Sequence, residues 1–288
     1  MPVPSVSFEF FPPQSLEASF RLWDTVQTLA PLEPRFVSVT YGAGGTTRDL
    51  TRDAVATLHK SSGLQVAAHL TCVNASRAET LQIARDFAEA GVRDIVALRG
   101  DPPKGEGHFT PHPDGFADAC ELIGALADMG CFNIRVGAYP DIHPEAASAQ
   151  ADIDWLKAKI DAGADEALTQ FFFEAESFFR FRDACVKAGI DAPITPGILP
   201  IENWAGARRF AKRCGTAIPK WIEDAFEKAT RDGREDLLAT AICAELCSDL
   251  IDGGVEALHF YTLNRPELTR DVCHALGVQP KVRLENVA

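Results

Sequence analysis

The chain has 288 residues, 46% of them hydrophobic and 24% charged, which is the make-up of a folded protein with a substantial core. Lys and Arg total 28 against 41 Asp and Glu, a formal charge of -13 that repels a phosphate backbone and argues against nucleic acid as a partner. Met1-Pro2-Val3-Pro4 has no basic leader, no apolar run is long enough to span a membrane, and the eight cysteines contain no CxxC pair, so the chain is expected in the cytoplasm with reduced thiols and no partner membrane.

The first apolar run is Ser7-Phe8-Glu9-Phe10-Phe11, closed by Pro12 and Pro13, which cannot donate to a strand ladder. As a strand it places Val6, Phe8 and Phe10 on one face and Ser5, Ser7, Glu9 and Phe11 on the other. A carboxylate among phenylalanines should have its ionised form disfavoured and its pKa raised, which would make Glu9 a general acid near neutral pH. An ordinary strand-end Glu, paired with a lysine or solvated, fits the same residues.

Similar runs recur at intervals of roughly 30 residues, the size of a βα unit. They begin at Phe36, Val66, Ile95, Ile134, Ala167, Ile194 and Leu258. Helical patterns lie between them, among them 76–90, 144–162 and 176–188, and Ala90-Gly91, Ala162-Gly163 and Ala188-Gly189 supply C-terminal caps. The last interval holds three more, over 203–214, 219–230 and 235–252. Eight strands alternating with helices, without a linker, predict α/β architecture in one domain over 1–288, a (β/α)₈ TIM barrel.

A barrel of this kind carries its chemistry at the C-terminal ends of its strands. Glu9, Thr40, Tyr41, His69, Thr71, Arg99, Asp101, Tyr139, Gln170, Tyr261 and Asn264 all fall at or just after such ends. Singly each is an ordinary polar strand end; together they outline an ionisable mouth over an apolar core.

The other motifs are weaker. Gly42-Ala43-Gly44-Gly45-Thr46-Thr47 lacks the third glycine of a dinucleotide fingerprint and the lysine of a P-loop. It suits a βα loop with Thr46 or Thr47 as helix cap. Arg99 and Asp101 share a strand face, and Gly100 between them would let a planar ligand approach the backbone. His143-Pro144-Glu145-Ala146 has the form of a helix start with Pro144 at the first position, whose free N–H groups could receive a phosphate assisted by Lys159. A solvated helix start is the alternative. His69 and His259 have no partner at metal-ligand spacing, and Cys243 and Cys247 lack a second ligand pair, so no metal is expected. No Gly-x-Ser-x-Gly elbow supports nucleophilic catalysis.

Taken in order, Phe8-Glu9-Phe10-Phe11-Pro12-Pro13, Val39-Thr40-Tyr41-Gly42-Ala43, His69-Leu70-Thr71-Cys72, Leu98-Arg99-Gly100-Asp101, Ala138-Tyr139-Pro140, His143-Pro144-Glu145-Ala146, Thr169-Gln170-Phe171-Phe172 and Phe260-Tyr261-Thr262-Leu263-Asn264-Arg265 resemble the methylenetetrahydrofolate reductases. The likeness is to the bacterial type, a catalytic barrel without a regulatory domain. It implies non-covalent FAD, reduced by NADH or NADPH in a ping-pong relay that converts 5,10-methylenetetrahydrofolate to 5-methyltetrahydrofolate, with the reverse oxidation also open. It further implies a small-molecule folate substrate and a homo-oligomer.

By the same resemblance Glu9 is the general acid that opens the methylene ring, and Asp101 the carboxylate that stabilises the developing cation and tunes the flavin. Flavin contacts carry over to Thr40, Tyr41, Ala43, His69, Arg99, Gly100, Asp101, Ala117, Tyr139, His143, Ala146, Asp152 and Lys159. Gln170, Phe210, Tyr261 and Arg265 fall to the substrates, Arg265 facing the folate's glutamate tail. The chain departs from the pattern at Trp155 and Ala158, where the family often has polar FAD contacts, and at Gly206, which offers no side chain to folate. Two other readings compete: a barrel flavoenzyme oxidising amines, of the proline dehydrogenase kind, and a non-catalytic folate- or flavin-binding protein.

Overall fold

In a computed structural model, which describes residues 2–41, 48–102 and 109–280, alternation along β1 (Ser5–Phe10) sets the plan of the molecule. Val6, Phe8 and Phe10, each 2% exposed or less, pack outward into the main core, while Ser7 and Glu9 point inward. The strands that follow are β2 (Val37–Val39), β3 (Val66–Thr71), β4 (Asp94–Leu98), β5 (Asn133–Ala138) and β6 (Glu166–Thr169). After them come β7 (Ile194–Thr195), β8 (Gly197–Ile198) and β9 (Ala257–Tyr261). The strand pairs among the described residues are parallel, in the order β7-β6-β5-β4-β3-β2-β1-β9-β8.

The predicted seventh run is thus split. Pro196, which has no N–H, interrupts it, so that Ile194–Thr195 pairs with β6 and Gly197–Ile198 with β9. One run therefore holds both neighbours and completes the ring as an α/β TIM barrel with eight strand positions.

The helices are α1 (Leu16–Leu29), α2 (Arg48–Ser62), α3 (Arg77–Glu89), α4 (Ala119–Asp128), α5 (Ala149–Asp161) and α6 (Ala175–Lys187), then α7 (Trp204–Cys214), α8 (Lys220–Asp232), α9 (Glu235–Asp252) and α10 (Pro266–Ala275). Hydroxyl, carboxylate and carboxamide caps fix the starts of five of them: Ser76 and Glu79 form a capping box on α3, and Ser15, Asp118, Ser148 and Asn203 accept from the first turns of α1, α4, α5 and α7. The predicted Ala-Gly caps are present, with Gly91, Gly163 and Gly189 at φ of 89°, 116° and 76°, where a side chain would be strained.

One predicted boundary is corrected. The fifth helix begins at Ala149 rather than Pro144, because the Ser148 side chain accepts from Ala151 N and starts the helix there. Residues 143–146 form a turn closed by Ala146 N donating to His143 O at 2.8 Å. Pro144 is therefore not at a helix start, and the anion site expected on its N–H groups does not exist in that form.

The barrel interior is layered. At its lower end Arg135 donates to Glu166 Oε2 at 2.8 Å and to Asp94 Oδ1 at 2.6 Å, while Arg35 reaches Glu166 at 3.2 Å. Thr195 donates to Glu166 at 2.6 Å and Gln65 to Asp94 at 2.7 Å, so both buried carboxylates are well satisfied. Above this floor sits a buried apolar layer of Phe36, Ala67, Val96 and Leu168. The Arg135 guanidinium lies 3.8 Å from the Phe36 ring centre, and His259 is stacked with the same ring at 5.6 Å.

A candidate active site at the strand C-termini

Above the apolar layer the inward residues of β1, β3 and β9 meet. Register brings Ser7 opposite His259 and Glu9 opposite Tyr261. The Ser7 hydroxyl and His259 Nδ1 are hydrogen-bonded at 2.8 Å, and Glu9 Oε2 lies 3.3 Å from His69 Nε2 and 3.9 Å from His259 Nε2. Both Nε2 atoms are buried and make no well-aligned hydrogen bond. The Glu9 carboxylate is their only ion-pair partner among the described residues, and its side chain keeps 16% exposure.

This corrects the pKa expected for Glu9. Burial does raise it, but the hydrogen bonds and positive charge of His259 and His69 outweigh burial and bring it down to about 2. The sequence showed the phenylalanines on either side of Glu9, yet these face outward; its true neighbours are two imidazoles on other strands. The hydrogen bonds from the two imidazoles are the larger part of this lowering and their positive charge the smaller. Glu9, His69 and His259 are one proton-sharing cluster.

Beside the cluster, the ends of β4 and β5 and the starts of α4 and α5 enclose a cavity of about 550 Å³, within the roughly 300–1,000 Å³ of ligand sites. Of the residues expected to hold a cofactor, Tyr41, Arg99, Gly100, Asp101, Ala117, Tyr139, His143, Ala146, Asp152 and Lys159 line it. Thr40 and His69 do not: the Thr40 carbonyl accepts from Thr51 at 2.9 Å, and His69 belongs to the cluster. Ala43, like the Gly42–Thr47 loop, lies outside the described residues.

Lys159 is the most telling of these. Its side chain is buried, its ammonium donates to the Gly137 carbonyl, and it forms no ion pair among the described residues. Burial pushes its pKa down to about 8. Asp152 offsets part of this cost from a distance, but a buried ammonium with no carboxylate in direct contact among the described residues is suited to an anion. Arg99 supplies a second cation, presently held by Glu145 at 2.6 Å and 3.1 Å, and the hydrogen bond to Glu145 raises its already high pKa. Tyr139 stands edge-on to His143 at 4.5 Å, and Asp152 accepts from His143 N at 2.9 Å, tying the β5–α5 connection to the helix.

Gly100 has φ of 87°, and a Cβ there would lie 2.8 Å from Val73 and 2.9 Å from Thr71. Its glycine is thus required by the protein's own β3 end, although it also lines the cavity.

The residues expected to take substrate lie on the other side. Gln170 follows β6, its side-chain oxygen accepting from Phe171 N at 3.1 Å. Phe210 on α7 packs on Phe171 at 5.0 Å. Tyr261 donates to the Thr169 carbonyl at 2.5 Å and stands edge-on to His259 at 5.3 Å. Arg265 is exposed outside the cavity, 3.4 Å from Glu202. Sequence reasoning missed Glu145, Asp118 and the pairing of Glu9 with imidazoles; only the shared face of Ser7 and Glu9 hinted at the last.

The comparisons agree with one another. The family profile described as Methylenetetrahydrofolate reductase matches residues 3–277. The chain is similar to the 5,10-methylenetetrahydrofolate reductases of Salmonella typhimurium, 47% identical over 96% of this chain and 92% of that protein, and of Escherichia coli, 46% identical over the same shares. A solved structure described as an uncharacterized protein from Clostridium thermocellum that binds two copies of 5-methyl-5,6,7,8-tetrahydrofolic acid shares the fold, with TM-score 0.59 and 12% identity over 96% of this chain and 95% of the other.

Proposed function

We propose, because this chain belongs to the methylenetetrahydrofolate reductase family, that its barrel mouth binds FAD in the cavity between α4 and α5 and reduces 5,10-methylenetetrahydrofolate beside Glu9. The carrying observation for the cofactor is the buried Lys159 ammonium, without an ion pair among the described residues, on the wall of a cavity of about 550 Å³ in a chain of charge -13. An anionic dinucleotide fits that wall. Lys159 and Arg99 match its diphosphate, the N-terminal ends of α4 and α5 face the same space, and Tyr139 and Asp101 line it where β5 and β4 end. Bound there, FAD would supply the two-electron relay from NADH or NADPH to the folate.

The chain's own part in the reaction is proton supply. Opening the methylene ring needs a proton on a folate nitrogen, and Glu9 is the inward acid at the rim. A carboxylate held at about 2 is ionised near neutral pH, so the acid is the Glu9–imidazole couple and not an isolated carboxyl. A proton given up through Glu9 is replaced from His69, 3.3 Å away, which leaves the Glu9 carboxylate ionised to face the cation that ring opening creates. Ser7 holds the ring of His259 on its other nitrogen. Asp101, exposed on the cavity wall, would stabilise the cation formed when the ring opens.

Separate half-reactions test this. Reconstituted protein should turn yellow with FAD, bleach with NADH or NADPH, and regain its colour with methylenetetrahydrofolate. A protein that takes up no flavin sinks the cofactor assignment, and one that bleaches but never passes electrons to the folate sinks the substrate assignment. A cytoplasmic setting suits the eight free thiols. Self-association would cover Leu16, Phe20 and Trp23, exposed along α1; light scattering of Phe20→Glu should then report smaller particles, and an unchanged mass would exclude that surface.

A further inference from the structure

Asp152, Trp155 and Lys159 are spaced by three and four positions along α5 and form one stripe facing the cavity. Two of the three are anchored: Asp152 by the His143 backbone N–H at 2.9 Å, and Lys159 by the Gly137 carbonyl. Trp155 is not. Its indole is 43% exposed although it lines a cavity. No hydrogen bond or ring contact of Trp155 is found among the described residues. The other tryptophans have different settings: Trp204 is buried against Phe226 at 4.5 Å, Trp221 donates to Glu174 at 3.0 Å, and Trp23 lies on α1.

Facing the same space at the start of α4 are Ala117, Asp118 and Ala119, two of them too small to cover an indole. A flat aromatic surface is therefore offered to the cavity one helical turn from the cation that would take a diphosphate. Isoalloxazine belongs on the opposite side of that cation, toward Tyr139 and Asp101. The group that remains for the outer side is the purine.

We propose that Trp155 is a stacking platform for the adenine ring of bound FAD, and that through it this chain prefers the dinucleotide to FMN or riboflavin. The inference rests on the flavin assignment above. It also reinterprets a departure from the family pattern: where polar contacts are usual, this chain replaces hydrogen bonds to the cofactor's outer half with aromatic contact, so binding there need not be weaker. Base-on-aromatic contact is tolerant of geometry and is worth roughly 10- to 100-fold in affinity.

The test uses the full-length protein stripped of flavin. Tryptophan emission is followed during titration with FAD, with FMN, and with ADP as an adenine-only probe, and affinities are confirmed by equilibrium dialysis. Wild-type emission should be quenched by FAD and by ADP, and Trp155→Phe should lose most of that quenching while keeping FAD affinity within a few-fold. Trp155→Ala should weaken FAD and ADP by roughly 10- to 100-fold and leave FMN unchanged. Because the side chain is exposed, both variants should melt with the wild type. Equal FAD and ADP affinity in Trp155→Ala overturns the proposal, as does a loss confined to the KM for NADH with FAD affinity intact, which would assign the platform to the nicotinamide cofactor. Failure of the wild type to bind either flavin overturns the flavin assignment itself, and this inference with it.

Discussion

His69 Nε2 lies 3.3 Å from Glu9 Oε2, and the two residues come from strands that are not adjacent, β3 and β1, with β2 between them. Both side chains point into the barrel, and their contact over the intervening strand converts an expected neutral acid into an ionised carboxylate with an imidazole beside it.

Glu9→Gln should keep the reduction of flavin by NADH and slow the folate half-reaction by about 100-fold or more, the usual worth of a positioned acid. Stopped-flow traces of the two half-reactions decide it. Unchanged folate turnover would remove Glu9 from the mechanism.

With FAD bound as proposed, Lys159 should set a pH limit on cofactor binding. Its pKa is lowered by burial to about 8, so the ammonium is charged below that pH and its charge is lost above it. A bound diphosphate raises that pKa, and FAD affinity should fall as pH rises through 8 and beyond. Lys159→Met should bind FAD more weakly at pH 7 with a flatter pH profile. It should also stabilise the ligand-free protein, on the order of 1–3 kcal/mol, by removing a buried charge. Dialysis at several pH values and a melting curve would show both, and a steep profile retained in the variant would exclude Lys159 as its source.

Glu166 holds the barrel floor. Burial raises its pKa, but the hydrogen bond from Thr195 and the charges of Arg135 and Arg35 more than reverse this, and it ends lowered. The stability it contributes is present above the unfolded carboxylate pKa and is lost as pH falls through the depressed folded value. Glu166→Gln leaves Arg135 with Asp94 alone and should cost about 3–5 kcal/mol. Urea unfolding at pH 7 measures the loss, and the gap from wild type should narrow in acid.

Gly197→Ala should destabilise the closing run by roughly 1–3 kcal/mol or more. A Cβ there would lie 2.1 Å from the Thr169 carbonyl oxygen and 2.6 Å from the Tyr261 ring. Tyr261 would have to leave its hydrogen bond to Thr169, so folate turnover should suffer along with stability. A variant with wild-type melting temperature would mean that the two strands can part at little cost.

Much of this architecture is legible in the chain because barrel strands and their caps are local signals. The alternation of Val6, Phe8 and Phe10 against Ser7 and Glu9, and the Ala-Gly helix ends, depend on a few neighbouring residues. Partners across the barrel do not. Ser7 and His259 are 252 positions apart, and only register makes them neighbours. The same holds for Arg135 with Asp94 and Glu166, which lie 41 and 31 positions from it in the chain. The helix after β5 was misplaced for a different reason: proline at a first turn and a serine five positions before Ile153 are both start signals, and the serine forms the cap. Arg99 was read with Asp101, its sequence neighbour, whereas the fold gives its guanidinium to Glu145.

Beneath the catalytic rim the barrel is stoppered twice, by the Phe36 layer and by the ions around Arg135. Nothing can pass through it from end to end, so traffic has a single doorway. Nicotinamide and pterin, if both are to reach the same buried spot, must come and go by that one route, and the second can enter only after the first has backed out. The proposed alternation of substrates would then need no moving gate: it would follow from a tube with one end shut.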